Sequence, residues 1–287
     1  MNAFLGNYLI GLREGLEATL VVSILVAFLV KSGRREKLVP VWVGVVVAVA
    51  ISVGFGAFLF YVRDVLSFEQ RELFEAVTSV VAVCFVTWMI FWMRRFARKL
   101  AGDLRSKLEQ AITLGTVAVV AMAFFAVVRE GLETATLFFA AAQGASGSGP
   151  LLGITTGVVT AIVIGWLLYL SAVRINLTTF FTWTGLLLIL VAAGILKYGV
   201  HDFQEAGILP GINTLAFDVS AWYDPSAWYA ALLGGMFNLT PAPTVLETIA
   251  WVAYAVPVLV AFLVPARPAA PAVAPKPMDS PAPARTA

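Results

Sequence analysis

The sequence is poor in the residues from which most soluble enzymes build their sites. Of its 287 residues only 13% are charged, and it contains one cysteine, Cys84, and one histidine, His201. A single cysteine excludes a disulfide framework and a thiolate metal cluster, and a single histidine excludes a zinc or copper site built from several imidazoles. Any metal bound by this chain must therefore use oxygen ligands.

Excess charge of either sign is also lacking. The net charge is +2, from 19 Lys and Arg against 17 Asp and Glu, and the residues from Pro265 onward account for it. A near-neutral chain of this kind excludes a basic nucleic-acid-binding protein. The phosphate-binding pattern G-x-x-x-x-G-K-[ST] does not occur, so the chain does not hydrolyse ATP through a P-loop.

Long apolar runs take the place of charge. Hydrophobic residues make up 60% of the chain, more than one core of this size can bury, so we predict an all-α integral membrane protein. A membrane-spanning helix needs about 20 apolar residues, and seven segments provide them. These predicted spans cover roughly 4–30, 39–62, 73–93, 111–142, 151–173, 179–196 and 244–264.

The short loops predict the orientation, because Lys and Arg concentrate on the cytoplasmic side of a membrane. The loop KSGRREK after the first span and the loop after the third are basic, whereas QGASGSGP after the fourth has no charge. We therefore expect the N-terminus outside and the C-terminus inside. Residues 1–264 would form the membrane domain, with 197–243 outside, and the Pro/Ala-rich residues 265–287 a disordered cytoplasmic tail.

A five-residue motif, R-E-G-L-E, occurs twice, at 13–17 and at 129–133. The copies are offset by 116 residues and lie in the first and fourth predicted spans. An offset of three spans, an odd number, makes the two copies run in opposite directions. Spans one to three (about 4–93) and four to six (about 111–196) are therefore predicted to be inverted repeats, followed by a seventh helix. Many secondary transporters share this organisation, with the substrate site at the interface of the repeats.

Each motif places three charges on one helix face, because residues three and four apart in a helix are neighbours. Ionised groups near the centre of a bilayer cost several kcal/mol unless they are paired or hydrated, and they are functional by default. With two carboxylates and one guanidinium per copy, the pair carries a net charge of −2, which suits a hard cation. The predicted ligands are Glu14, Glu17, Glu130 and Glu133, oriented by Arg13 and Arg129.

The glycine inside each motif has a separate role. Gly15 and Gly131 lack a side chain, so another helix can approach the motif closely. The alternative interpretation of the whole motif is structural, with Arg–Glu pairs that fix the register of two helices.

At these residues the sequence resembles the oxidase-dependent iron transporters, which include the yeast high-affinity ferric permease and bacterial inner-membrane iron permeases. Their hallmark is R-E-G-x-E in the first and fourth membrane helices. Supporting stretches are Glu72–Ala76, Met89–Met93 and His201–Gly207. The resemblance implies seven helices, an outward N-terminus, import of iron(III) and a partner ferroxidase or iron-delivery protein outside the cytoplasm. The short loops and the richness in Ala and Val favour a bacterial inner membrane.

Three more acidic residues are candidates for the path that leads to the site: Glu75, Asp202 and Glu205. An acidic vestibule would concentrate cations electrostatically. The alternatives are that Glu75 is an interfacial charge reaching toward water and that the other two are solvated loop charges.

Other functions stay open at this stage. The same oxygen ligands would serve iron(II) or manganese. A membrane enzyme using paired carboxylates as acid and base is disfavoured, since no nucleophile motif or histidine constellation accompanies them. An assembly or sensor subunit would not need six charges at one depth. We expect iron(III) as a transported substrate and no permanently bound cofactor. The lipid bilayer is expected to surround the protein, and a homo-oligomer stays open.

Overall fold

The computed structural model describes residues 4–96, 100–143, 147–170, 177–224 and 227–264. Within these ranges the regular elements are helices, there is no regular β-strand, and residues 206–224 and 238–244 are irregular. The predicted tail 265–287 lies outside the described residues. The helices are α1 (Phe4–Lys31), α2 (Leu38–Val65), α3 (Phe68–Phe96), α4 (Leu100–Leu114), α5 (Thr116–Ala142), α6 (Gly149–Tyr169), α7 (Leu177–Glu205), α8 (Trp228–Phe237) and α9 (Val245–Leu263), with a short 3-10 turn at Arg35–Lys37 before α2.

Five stretches in the described residues are long and apolar enough to cross a membrane. They are Arg35–Val65, Phe68–Trp92, Gly149–Leu167, Thr179–Glu205 and Val245–Leu263. Helices α1 and α5 are also long enough, with 28 and 27 residues, but each carries the three charges of its motif. The prediction of a helical multi-pass membrane protein is confirmed, whereas seven spans, the repeat and the orientation stay predictions.

Helix α4 corrects the predicted loop after span three. This amphipathic helix buries Leu104 and Leu108 against Leu25 of α1 and Val119 of α5. It ends before Gly115, whose φ of +109° is a conformation that favours glycine. The fourth predicted span therefore begins at residue 116 and not at 111.

Helix α7 corrects a second boundary. We predicted that it ends at residue 196, but it continues to Glu205, so the segment expected outside begins as helix. The added turns carry Lys197 and Asp202, which are buried, and His201, which contacts Glu247 of α9. Polar residues ended the predicted span because their partners are distant in sequence.

The helices pack across the two predicted repeats. Helix α1 runs parallel to α6, where Gly153 lies against the backbone of Phe4 and Gly165 against Thr19. Helix α2 runs parallel to α5, where Gly44 lies against Val120. Helices α3 and α7 are antiparallel, and α9 packs on α7. In the predicted repeats α1, α2 and α3 correspond to α5, α6 and α7. The α1–α6 pair therefore has the α5–α2 pair as its counterpart.

One end of the bundle gathers acidic side chains. It is the end where α2 and α7 stop and α3 and α9 start, and we call it the acidic end. There Arg63 of α2 contacts Glu75 of α3, and Asp202 of α7 lies beside them. The charged motifs of α1 and α5 lie further inside the bundle, where Glu14 and Glu133 are buried.

Candidate metal centre

The crossing of α1 and α5 brings the two motifs together. Carboxylate oxygens of Glu14, Glu130 and Glu133 lie within 4.8 Å of one another, and all three residues are buried. Two come from one motif and one from the other, so the centre requires both copies. Three carboxylate oxygens at this separation are a suitable donor set for a hard cation.

Free oxygens point to a ligand in this centre. Among the described residues, no hydrogen-bond donor reaches Glu14 Oε2, Glu130 Oε2 or Glu133 Oε2, although all three atoms are buried. A buried polar atom without a partner costs about 1–3 kcal/mol, and more when it is charged. A bound cation would remove that penalty at all three atoms. The residues of the centre therefore fit a metal ion.

The first arginine is enclosed by its own motif. Arg13 is only 1% exposed; its Nη1 lies 3.2 Å from Glu14 Oε1 and its Nη2 3.3 Å from Glu17 Oε1. This guanidinium offsets part of the negative charge of the motif from within the same helix. Glu17 is not one of the three clustered carboxylates, and its role as a ligand stays a prediction.

The second arginine has partners both inside and outside its motif. Arg129 Nε lies 2.9 Å from Glu133 Oε1 and 4.0 Å from Glu130 Oε1, and its side chain is 33% exposed. Its Cζ lies 4.4 Å from the ring centre of Trp92 and 5.2 Å from that of Trp88, both on α3. These cation–π contacts make the two motifs unequal, which the repeat in the sequence does not reveal.

The motif glycines permit the helix contacts that were predicted for them. A Cβ on Gly15 would lie 2.8 Å from Ala161 Cβ and 3.3 Å from Val158 Cα of α6. A Cβ on Gly131 would lie 2.7 Å from Ser52 Cβ of α2, with Ser52 Oγ closer still. Each motif glycine thus faces a helix of the other predicted repeat.

The three predicted access residues have different surroundings. Glu75 Oε1 accepts hydrogen bonds from Arg63 Nε and, at 2.8 Å, from Arg71 Nε. Asp202 is buried beside it, whereas Glu205 pairs with His201 Nε2 at 3.3 Å. None of the three contributes to the trio of Glu14, Glu130 and Glu133.

Sequence reasoning missed two other groups at the acidic end. Glu72 lies in the same cluster as Glu75, and its i,i+3 spacing, the spacing within both motifs, was an available signal. Lys197 is buried and lies 3.2 Å from Glu247 Oε2. No local signal reveals that contact, because the partner is 50 residues away.

The fold and the buried carboxylates define the class: a helical multi-pass membrane protein with a polar centre suited to a cation. The Iron permease FTR1 family matches residues 4–274, and the chain belongs to this family. It is accordingly a permease and not an enzyme. The resemblance found in the two motifs is confirmed over most of the chain.

Several similar curated proteins carry the same name. The chain is 40% identical over 263 residues to the "Ferrous iron permease EfeU" of Escherichia coli O6:H1, covering 91% of this chain and 95% of that protein. The protein of that name from Escherichia coli O157:H7 has the same identity and coverage. The one from Yersinia pestis is 38% identical, over 91% of this chain and 93% of its own length. No solved structure matches the chain.

Proposed function

We propose that this chain imports iron across the plasma membrane, a bacterial inner membrane, through the centre built by the two R-E-G-L-E motifs. One observation carries the proposal. Glu14, Glu130 and Glu133 converge from two helices to within 4.8 Å, and each keeps a buried oxygen without a donor among the described residues. Membership of an iron permease family supports iron as the cation.

The path of the ion follows from the proposed orientation. With the N-terminus outside, the acidic end faces outward, and a ferroxidase or iron-delivery protein supplies iron there. The ion sheds water at the carboxylates, while Arg13 and Arg129 limit the negative charge so that binding stays reversible. Movement of the inverted repeats against each other then opens the centre inward. An inside-negative potential favours import by about 2.3 kcal/mol per charge per 100 mV.

The valence of the transported ion has two candidates. The resemblance to oxidase-dependent transporters supports iron(III), delivered after oxidation by the partner. The name of the relatives from Escherichia coli and Yersinia pestis, ferrous iron permease, favours iron(II). Charge supports the second candidate too, because a divalent ion balances the net −2 of the two motifs.

Uptake of radioactive iron in cells without their own importer tests the proposal. The variant Glu133→Gln keeps the size of the side chain but removes one charge of the centre, and we expect uptake to fall at least tenfold. The matched control is Glu36→Gln, an exposed carboxylate in the 3-10 turn. Normal uptake by Glu133→Gln at equal membrane abundance would overturn the proposal.

Redox conditions separate the two valences. Iron(II) held reduced by ascorbate and iron(III) held by citrate are offered in parallel, with the oxidase partner present or absent. Uptake that requires the oxidase supports iron(III). Uptake from the reduced pool without the oxidase supports iron(II).

A further inference from the structure

A second carboxylate cluster lies where α3 and α7 cross. The crossing is close because Gly199 has no side chain: a Cβ there would lie 2.8 Å from Ser79 Cβ and 3.3 Å from the carbonyl oxygen of Ala76. One turn further toward the acidic end, oxygens of Glu72, Glu75 and Asp202 lie within 4.8 Å of one another. All three residues are buried.

Asp202 points to a ligand in this cluster. It is 0% exposed, and neither Oδ1 nor Oδ2 has a hydrogen-bond partner within the described part of the chain. A buried carboxylate without donors is costly. Its negative neighbours Glu72 and Glu75 increase that cost, and a cation between the three would remove it.

The nearby arginines do not meet this need. Arg63 and Arg71 both bind the same oxygen, Oε1 of Glu75. Arg63 comes from α2 and ties it to α3, whereas Arg71 lies on α3 itself. Three carboxylates against two guanidinium groups leave the cluster with a net charge of −1. A purely structural ion-pair network would explain Glu75, but it leaves Asp202 without a donor.

We propose that Glu72, Glu75 and Asp202 form a second cation site, one that takes a hard divalent or trivalent ion before it reaches the central site. That the ion is iron rests on the proposed function, whereas the binding itself does not. The other ends of α3 and α7 have no acidic residues: 86–99 and 177–201 contain no Asp or Glu. The site therefore serves one side of the bundle.

Gln143, directly after α5, relates the two sites in space. Its Nε2 donates to the carbonyl oxygen of Glu75 at 3.4 Å, and its Oε1 accepts from Ser79 Oγ at 2.7 Å. Gln143 lies ten residues beyond Glu133, or about 15 Å along a helix. Two sites at this separation are suited to sequential occupancy, in which repulsion from an arriving ion helps the inner ion to leave.

Counting bound ions tests the second site. The full-length protein is purified in detergent, and binding of Mn²⁺, a hard divalent probe, is measured by equilibrium dialysis and electron paramagnetic resonance. We expect two ions per native chain and one per Asp202→Asn chain. The conservative variant Asp202→Glu should keep two. Glu69 is exposed and lies three residues before Glu72 on α3. It supplies the matched control Glu69→Gln, which should also keep two.

The central site is removed by a separate variant, so that the central site and the second site are tested independently. Glu133→Gln should bind one ion, and the double variant with Asp202→Asn should bind none. Two ions on a well-folded Asp202→Asn protein, or a single native ion that only Glu133→Gln removes, would overturn the second site. A single native ion that only Asp202→Asn removes would support the second site and contradict the central one. Circular dichroism and monodispersity verify folding of each variant.

Discussion

Replacing Lys197 by methionine should destabilise the protein strongly. Lys197 Nζ donates to the carbonyl oxygen of Asn238 and to Thr240 Oγ1, both at 2.8 Å, and lies 3.2 Å from Glu247 Oε2. The residue is 3% exposed. It therefore joins α7 to α9 and to the segment before α9 through one buried charge.

The size of the effect follows from these contacts. Removing one partner of a buried ion pair costs about 3–5 kcal/mol, because the other charge is left uncompensated. Glu247 retains His201 Nδ1 at 2.8 Å, so we expect the lower limit, about 3 kcal/mol. At about 1.4 kcal/mol per tenfold, Lys197→Met would lower the folded-to-unfolded ratio more than a hundredfold.

A double-mutant cycle provides the measurement. Equilibrium unfolding in mixed micelles is compared for the native chain, Lys197→Met, Glu247→Gln and the double variant. A coupling of about 0.5–3 kcal/mol is expected for residues in contact. Lys31→Met, at the exposed end of α1, is the control for loss of a positive charge. A loss below about 0.5 kcal/mol for Lys197→Met would refute the reasoning.

Two further predictions concern the motif helices. Trp92→Leu should loosen Arg129 and reduce iron uptake several-fold, since a cation–π contact at a partly exposed site contributes about 1 kcal/mol; unchanged kinetics at equal abundance would argue against this role. Gly131→Ala should lower the yield of folded protein, because the new methyl group overlaps Ser52. Adding Ser52→Gly should restore much of the yield, as judged by size-exclusion chromatography, and no rescue would mean that another contact limits the crossing.

The sequence was sufficient for features that depend on local spacing. Apolar runs of about 20 residues predicted the long helices, and the i,i+3 and i,i+4 spacing put the charges of each motif on one face. The offset between the copies predicted that the motifs meet, and Glu14, Glu130 and Glu133 do lie together. The first two patterns lie within about 30 residues, and the third is a repeat that can be recognised because the same five residues recur.

The features that were missed depend on contacts between distant segments. Polar residues ended the predicted span before Lys197, because a partner such as Glu247 cannot be recognised from composition. For Glu72 the i,i+3 spacing from Glu75 was a local signal, but the cluster itself also needs Asp202 from another helix. The environment of Arg129 likewise depends on Trp92, which reaches it only through the packing of α3 near α5.

The packing of α1 has a consequence for biosynthesis. Its main partners are α6 and α5, and the second motif is made 116 residues after the first. At about 5–20 residues per second, the ribosome needs roughly 6–23 s to reach it. During that time Glu14 must stay in or near the bilayer without Glu130 and Glu133. Arg13 travels in the same helix and supplies a counter-charge from the start, so that the nascent helix can wait for its partners.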